Sequence, residues 1–256
     1  MSPNVLTLKR PTNLLLSNLA PEDYEKLAPH LHTVKLEGGA ILGGYTADCR
    51  FAYFPTTCVV SLICEMEDGA TAEVALTGNE GVLGTSLFLG GQTATNRAIV
   101  GIAGEAQRMD AQILRGQFMR CEAFQRVLLK YTDALIAQIS NTAACNRRHT
   151  LEKRLCRWLL LLHDRAHSDE FVMTQEFIAN MLGGRRETVT VAAGHLQDAG
   201  LIHYTRGRLR IVDRPGLENY VCECYRNVRG EHARPLPQPV EVRQGLPKTR
   251  TSSALS

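Results

Sequence analysis

The residues best suited to binding a ligand are basic side chains in the last third of the chain. Arg185 and Arg186 stand directly before Glu187. Further arginines follow at Arg206, Arg208, Arg210 and Arg214. A guanidinium group binds phosphate oxygens or the O6 and N7 atoms of guanine, and a carboxylate accepts a hydrogen bond from cytosine N4. The net charge of +3 is small, but this local excess of basic residues predicts contact with double-stranded DNA.

Two predicted helices and a hairpin position these residues. Thr174 is a good N-cap for a first helix that ends at Leu182. Gly183-Gly184 breaks that helix, and a second one runs from about Arg185 to Ala199. Small and apolar residues fall where the helices would touch, at Ile178, Ala179, Leu182, Val189 and Ala192. Such a pair can be purely structural, but the basic residues favour a DNA-binding helix-turn-helix followed by a wing.

The second helix has two distinct faces at 100° per residue. Its apolar face comprises Val189, Ala192, Ala193 and Leu196. The opposite face, predicted to lie toward DNA, comprises Glu187, Thr190, Val191, Gly194 and Asp198. Arginines in the first turn are disfavoured by the helix dipole, which points to an external anionic partner.

The first half of the chain has a different pattern. After a loose arm over residues 1–12 and a short helix over 18–30, β-favouring runs alternate with Gly and Asp turns from His32 to about Arg108. The runs are HTVKL, RFAYF, CVVSLICEM, AEVAL, NRAIVGIAG and EAQRM. Short strands at this spacing predict a β-roll of the barrel or jelly-roll kind. It is either a sensor or a structural domain without a ligand.

After residue 110 the apolar residues recur at the spacing of a helix. A short helix over 110–120 precedes a long one over 124–148, whose stripe comprises Val127, Tyr131, Ala134, Leu135, Gln138, Ile139 and Thr142. This helix either packs only on the roll or also pairs with a twin helix. We favour pairing, because helix-turn-helix proteins usually bind two half-sites as dimers.

The predicted fold is therefore α+β, with an N-terminal β-roll, a long dimerisation helix and a C-terminal winged helix-turn-helix. The expected domains are residues 15–122, 123–149 and 150–230, with a disordered tail over 231–256. The third begins with an apolar helix, Leu151 to Ala166, and ends with a helix from Leu217 to about Glu231.

Several motifs resemble the Crp-Fnr superfamily of bacterial transcription regulators over roughly residues 15–225. They are MTQEFIANMLG, RRETV, LQDAGLI and RGRLRIVDR, with EGVLGTSLFLGG and NRAIV in the roll. The resemblance implies a homodimer whose recognition helices enter successive major grooves about 34 Å apart. The roll would bias their orientation, and RNA polymerase is a further candidate partner.

The resemblance also assigns roles within the helix-turn-helix. Arg186 matches a guanine-binding arginine and Glu187 a cytosine-binding glutamate. Phosphate contacts are expected from Thr174, Gln175, Arg185, Arg206 and Arg208. A second arginine of the family is replaced by Val191, which can contact only a thymine methyl, so we predict a half-site different from TGTGA or TTGAT.

The roll departs from the cyclic-AMP branch of the family. Gly84-Thr85-Ser86 occupies the place of a Gly-Glu-Leu segment and lacks the glutamate that binds the ribose. Arg97 stands near the position of a phosphate-binding arginine. Thr85, Ser86 and Arg97 are candidate effector-binding residues, although a strand-edge or solvent role for Arg97 is equally open. The effector is unknown and is not expected to be cyclic AMP.

The eight cysteines form no CxxC pair, and residues 1–30 contain none, so the family's iron–sulfur centre is not expected. Cys49, Cys58 and Cys64 are predicted in the core. Cys222 and Cys224 fall on the last predicted helix, where two thiolates alone cannot complete a tetrahedral zinc site. One is expected to be buried and one partly exposed, with redox sensing as the alternative.

Two histidines also raise the question of metal binding. His163 and His167 lie four residues apart near Asp164 and Asp169, where a polar helix end is favoured over a metal site. No metal and no cofactor are therefore predicted.

The remaining patterns limit the function class. GxSxG, HExxH, P-loop and dinucleotide motifs are missing, so an enzyme is not expected. The N-terminal residues lack an apolar core, and the longest apolar run, Trp158 to Leu162, is too short for a membrane span. We expect a cytoplasmic protein. The alternative to a regulator is a small-ligand-binding or redox-sensing module whose C-terminal half serves for docking.

Overall fold

The computed structural model describes residues 12–43, 50–91 and 96–233. Most of the predicted N-terminal arm and most of the predicted tail lie outside these residues. The described chain begins with α1 (Leu14–Ser17), α2 (Pro21–Leu27) and a 3₁₀ turn (Ala28–His30). Asn13 anchors this segment, because its buried amide donates to the carbonyls of Pro55 and Gly81 while its Oδ1 accepts from the Leu16 N–H.

The next seven strands form the roll. They are β1 (His32–Leu36), β2 (Ile41–Gly43), β3 (Phe51–Pro55), β4 (Val59–Glu65), β5 (Thr71–Thr77), β6 (Arg97–Ile102) and β7 (Gly104–Asp110). Two antiparallel sheets result, with strand orders β1-β7-β3 and β2-β6-β4-β5. All six predicted strands are present. The seventh, β2, was missed because three residues are too few to show an alternating pattern.

Two helices follow the roll, α3 (Ala111–Arg120) and α4 (Glu122–Arg148). The predicted stripe of α4 is buried, with Ile139 only partly buried, and Val127, Tyr131 and Leu135 pack in the core of the roll. Two side chains of the stripe fix this packing: the Tyr131 hydroxyl lies 2.9 Å from Thr77 Oγ1, and the Gln138 amide donates to the Leu76 carbonyl. The opposite face leaves Leu129 44% and Ile136 58% exposed.

Up to residue 233, the C-terminal half contains five helices and a small sheet. The elements are α5 (Leu151–Ala166), β8 (Glu170–Val172), α6 (Gln175–Leu182), α7 (Arg186–Asp198), β9 (Ile202–Thr205), β10 (Arg208–Ile211), α8 (Arg214–Tyr220) and α9 (Cys224–Ala233). The sheet order is β8-β10-β9. Among the described residues, no helix combines the length and the apolar character that crossing a bilayer requires.

The prediction of one final helix was wrong, because that segment forms two. Asp213 caps α8 by accepting the Gly216 N–H, and α8 ends at Tyr220. The Lys153 ammonium donates to the Tyr220 carbonyl, which satisfies an acceptor at the helix end. The backbone then becomes extended at Val221 before α9 begins. Cys222 therefore lies between two helices rather than on one.

The C-terminal half packs directly on the roll. Trp158 Nε1 on α5 donates to Glu73 Oε1 on β5 at 3.0 Å, and both side chains are buried. Gly183, after α6, packs so closely on β5 that an added Cβ would lie 3.3 Å from the Ala72 Cβ. The β5 strand of the roll is thus in direct contact with the helix-turn-helix.

Glu73 should make the stability of the protein depend on pH. Burial raises its pKa to about 7, although hydrogen bonds from Ser61 and Trp158 and the positive charges of Arg157 and Arg165 oppose the shift. Because the folded pKa exceeds the unfolded one, the protonated form is favoured in the fold. Its stabilising effect is complete below about pH 4.5 and is lost as pH rises to about 7.

Glu73→Gln should remove this dependence, because the amide does not ionise but can still accept from Trp158. Above pH 7 the variant should be more stable than the wild type by on the order of 3 kcal/mol, and near pH 4 the two should be equal. Urea unfolding at both pH values checks the difference. If the free energy of unfolding changed equally with pH in both proteins, the raised pKa of Glu73 would be contradicted.

Candidate nucleic-acid interface

The first helix of the pair, α6, is held at both ends by side chains. Thr174 Oγ1 accepts from the Phe177 N–H at 3.1 Å, as the predicted N-cap requires. Gly183 closes the other end with φ +57°, which glycine adopts without strain. Arg154 on α5 donates to the Leu182 carbonyl, an anchoring contact that the sequence pattern did not indicate.

Thr174→Ala should destabilise the protein by about 1 kcal/mol, because the Phe177 N–H loses its capping acceptor. Thr174→Ser is the matched control and should remain close to the wild type, since serine caps equally well. Chemical denaturation of the three proteins measures the difference. Equal midpoints for the alanine and serine variants would show that the cap contributes nothing.

The second helix, α7, begins at Arg186, and Arg185 occupies its N-cap position with an extended backbone. The Arg185 side chain makes no capping bond, so its guanidinium remains at the surface. The predicted apolar face, Val189, Ala192, Ala193 and Leu196, is buried. The opposite face is exposed at Glu187, Thr190, Val191 and Asp198, while Gly194 is half-buried. Val191 is 57% exposed.

A polar contact joins α7 to the first residue of α6. Thr190 Oγ1 lies 2.8 Å from Gln175 Oε1 and 3.0 Å from the Arg186 carbonyl, and its proton is donated to one of them. A concave surface opens beside this contact. Its lining comprises Thr174, Gln175, Glu176, Arg186, Tyr204, Arg206 and Gly207. The structure therefore brings together residues from α6, α7 and the turn between β9 and β10.

The wing is the hairpin of β9 and β10. Its two-residue turn has positive φ at both positions, +47° at Arg206 and +77° at Gly207. Arg208 and Arg210 are exposed on β10, while the alternate residues Leu209 and Ile211 are buried. Arg208 is thus beside the turn and Arg206 is at its tip.

Arg214 does not belong to this basic surface, contrary to the grouping suggested by the sequence. Its Nη2 lies 2.5 Å from Asp164 Oδ1 and 2.9 Å from Glu218 Oε1. His163 is bonded to Arg214 and, through Nε2, to Asp169 Oδ1 at 2.7 Å. His163 therefore contacts an arginine and an aspartate near the end of α5.

Neighbouring groups shift the pKa values of residues that support α6 and α7. Burial raises the pKa of Tyr204, and the nearby positive charge of Arg186 opposes the shift. The Tyr204 hydroxyl donates to the Met173 carbonyl. On α5, the hydrogen bond from the Tyr220 hydroxyl lowers the pKa of Glu152, which also bonds to His195 of α7. These contacts hold α7 against α5 and α8.

A separate cavity lies inside the roll. Among the described residues its lining is Leu42, Gly43, Phe51, Tyr53, Leu62, Val82, Leu83, Gly84, Thr85, Ser86, Asn96, Ala98 and Leu135. Two of the candidate effector residues, Thr85 and Ser86, are in this lining. Arg97 is not, because its Nη1 pairs with Glu65 Oε2 at 2.7 Å on the surface. The structure does not bring the third candidate to the cavity.

The cysteines predicted in the core have different environments. Cys58 is buried, and Cys64 is half-buried with its thiol 3.0 Å from Asn96 Oδ1. Cys49 lies outside the described residues.

Comparisons with known proteins agree with this architecture. Residues 153–220 match the model of the Crp-like helix-turn-helix domain. Comparison with curated proteins gives no match. Among solved structures, FixK2 from Bradyrhizobium japonicum is 18% identical, with a TM-score of 0.64 over 75% of this chain and 98% of its own.

Two further structures are similar over most of their length. The c-di-GMP-responsive global regulator CLP from Xanthomonas campestris is 15% identical, with a TM-score of 0.63 over 76% of this chain and 100% of its own. A CRP/FNR-family transcriptional regulator from Thermus thermophilus is 21% identical, with a TM-score of 0.56 over 73% of this chain and 97% of its own. The shared feature is the roll, long helix and helix-turn-helix in one order.

Proposed function

Since the chain has a Crp-like helix-turn-helix domain within the fold of the Crp/Fnr regulators, we propose that it is a transcription regulator that binds a two-fold DNA operator as a homodimer. The observation that carries the proposal is the concave surface shared by α6, α7 and the wing turn. It places Arg186 and Arg206 on one surface, beside the capped N-terminus of α6.

Base recognition is assigned to the exposed face of α7. Arg186 donates its guanidinium fork to guanine O6 and N7, and Glu187 accepts from cytosine N4. Thr190 lies one turn later on the same face, where its bond to Gln175 fixes the side chain. Val191 offers only methyl groups, which suit a thymine methyl. The half-site therefore differs from TGTGA and TTGAT.

Phosphate contacts are assigned to the surrounding positions. The N-terminus of α6, with Thr174 and Gln175, presents backbone N–H groups to an anion. Arg185 and Arg208 are exposed and form no salt bridge within the described part of the chain. Arg206 occupies the left-handed region at the wing tip, a conformation that costs a non-glycine residue about 1 kcal/mol or more. We therefore assign a phosphate contact to the Arg206 guanidinium.

Dimerisation is assigned to α4. Its outer face exposes Leu129 and Ile136, which are seven residues apart and so lie on one side of the helix. Ala143 continues this line and is also exposed. Pairing of two α4 helices would cover these apolar groups and place two α7 helices on one DNA duplex.

The roll is assigned the sensing role. Its cavity contains Thr85 and Ser86 and, through Leu135, reaches α4. Among the described lining residues there is no cation to neutralise a cyclic phosphate, so the effector is not expected to be cyclic AMP. The contact between Gly183 and Ala72 supplies a direct route from the roll to the helix-turn-helix.

Selection of bound duplexes from random DNA tests the proposal. We expect a motif with two-fold symmetry, half-sites one helical turn apart, and a guanine and a cytosine in each half-site. Binding to the selected sequence should weaken steeply with salt, because phosphate contacts release counterions. No enriched motif would contradict the function, and recovery of an unmodified TGTGA half-site would contradict the role of Val191.

A further inference from the structure

Four side chains from two distant parts of the chain converge beside the start of α5. They are Cys145, His149, Cys222 and Cys224. One potential ligand atom of each side chain lies within 4.8 Å of the others. Both Cys222 and Cys224 are buried, so the prediction that one of them is partly exposed was wrong, and the fold adds a third thiol and an imidazole to the pair.

The local structure explains the convergence. Cys145 and His149 are four residues apart at the end of α4, so their side chains share one face of the helix. Cys222 lies in the extended stretch after α8, and Cys224 begins α9. The break between α8 and α9 turns both cysteines toward α4, which a continuous helix could not do for residues two apart.

The distances fit a tetrahedral zinc ion. Cys145 Sγ lies 3.7 Å from Cys222 Sγ, and Cys224 Sγ lies 3.7 Å from His149 Nδ1. Zinc binds thiolate sulfur at about 2.3 Å and imidazole nitrogen at about 2.0–2.1 Å, which gives tetrahedral edges of about 3.8 Å and 3.6 Å. The sulfur atoms of Cys145 and Cys222 are far beyond the disulfide bond length of about 2.05 Å.

The surroundings support a bound cation with thiolate ligands. His149 Nε2 lies 3.5 Å from Glu223 Oε2, so a carboxylate can orient the imidazole whose Nδ1 faces the thiol. All three cysteines are buried, which shields the site from solvent. Three thiolates and one Zn²⁺ carry a net charge of −1. Arg157, whose buried guanidinium donates to Thr142 Oγ1 one helical turn before Cys145, supplies a compensating positive charge.

We propose that Cys145, His149, Cys222 and Cys224 bind one Zn²⁺ per chain in a closed Cys3His site. Binding requires the three thiols to lose their protons, so the metal displaces H⁺ and no oxidant or reductant is needed. Since four protein ligands fill the tetrahedron, the role is structural. The ion joins the end of α4 to α8 and α9 across the junction at His149 and Thr150, where the long helix gives way to the DNA-binding half.

The test uses the full chain, purified under reducing conditions and loaded with Zn²⁺. Native mass spectrometry counts the ions, a chromophoric chelator measures affinity by competition, and thermal melting is followed with and without zinc. Cys222→Ser is the test variant. Cys64→Ser, which removes a half-buried thiol in the roll, is the matched control.

We expect one tightly held zinc in the wild type and in Cys64→Ser, with a higher melting temperature than after chelation. Cys222→Ser should bind zinc more than about 100-fold more weakly. The wild-type measurements stand even if that variant folds poorly. Substoichiometric, readily dialysed zinc in the reduced wild type, equal affinity in Cys222→Ser, or a Cys145–Cys222 disulfide in place of metal would overturn the proposal.

Discussion

Alanine at Arg186 or Glu187 is expected to weaken selective binding to the operator while leaving the fold intact. Both side chains are exposed on the outer face of α7, and neither belongs to the buried core. Each is proposed to make a hydrogen-bonded contact with one base, and such contacts contribute about 1–3 kcal/mol of discrimination. Either variant should therefore lose roughly 5- to 150-fold in affinity for the selected sequence.

Binding to unrelated DNA should change much less, because phosphate contacts dominate it. Fluorescence anisotropy with the selected and a scrambled duplex, at one fixed salt concentration, measures both quantities. Arg120→Ala is the matched control, since Arg120 is an exposed arginine at the end of α3, far along the chain from the interface. Unchanged discrimination in Arg186→Ala would remove α7 from base recognition.

Arg165→Met is expected to destabilise the protein by about 3–5 kcal/mol, because it breaks a buried ion pair between the roll and the C-terminal half. Arg165 Nε donates to Glu80 Oε1 at 2.7 Å, and the guanidinium also donates to Gln138 Oε1 and the Leu161 carbonyl. The Arg165 and Glu80 side chains are only 5% and 16% exposed. Without the arginine, the carboxylate of Glu80 would remain desolvated and lose this cation.

Two further variants distinguish the loss of a buried ion pair from the loss of an arginine in general. Arg97→Met removes a pair of the same length, Arg97 with Glu65, but there the side chains are 30% and 35% exposed, so the loss should stay below about 1 kcal/mol. Adding Glu80→Gln to Arg165→Met should recover part of the stability, because no unpaired carboxylate is then buried. Denaturant unfolding of the four proteins gives the answer. Similar losses in Arg165→Met and Arg97→Met would refute a special role for burial.

Local features of the fold could be predicted from sequence because each is encoded within a few neighbouring residues. The strand alternation, the period of α4 and α5, the Thr174 cap and the Gly183 turn are all of this kind. The residues proposed to contact DNA also lie close together in the chain, so a pattern can indicate them. Their exposure in the structure follows from the apolar face of α7 being buried.

Features that depend on distant contacts were missed. The Trp158–Glu73 bond joins residues 85 apart, and the Cys145–Cys222 approach joins residues 77 apart. Neither partner carries a signal that identifies the other. The cysteine cluster combines the Cys222-x-Cys224 pair with a Cys-x-x-x-His spacing at 145–149, and only the break between α8 and α9 brings the two together. For Arg97 the sequence motif was misleading. Its position in the motif suggested the effector cavity, but its side chain forms a surface ion pair with Glu65.

Whether Arg186 binds a guanine in each half-site can be measured directly. In the selected duplex, the proposed guanine is replaced by 7-deazaguanine, which lacks the N7 acceptor, and binding of the wild type and Arg186→Ala is compared. We expect this base change to weaken binding by the wild type roughly 5-fold or more and to leave Arg186→Ala nearly unaffected, because in the variant the contact is already lost. An equal loss for both proteins at every guanine of the half-site would contradict it.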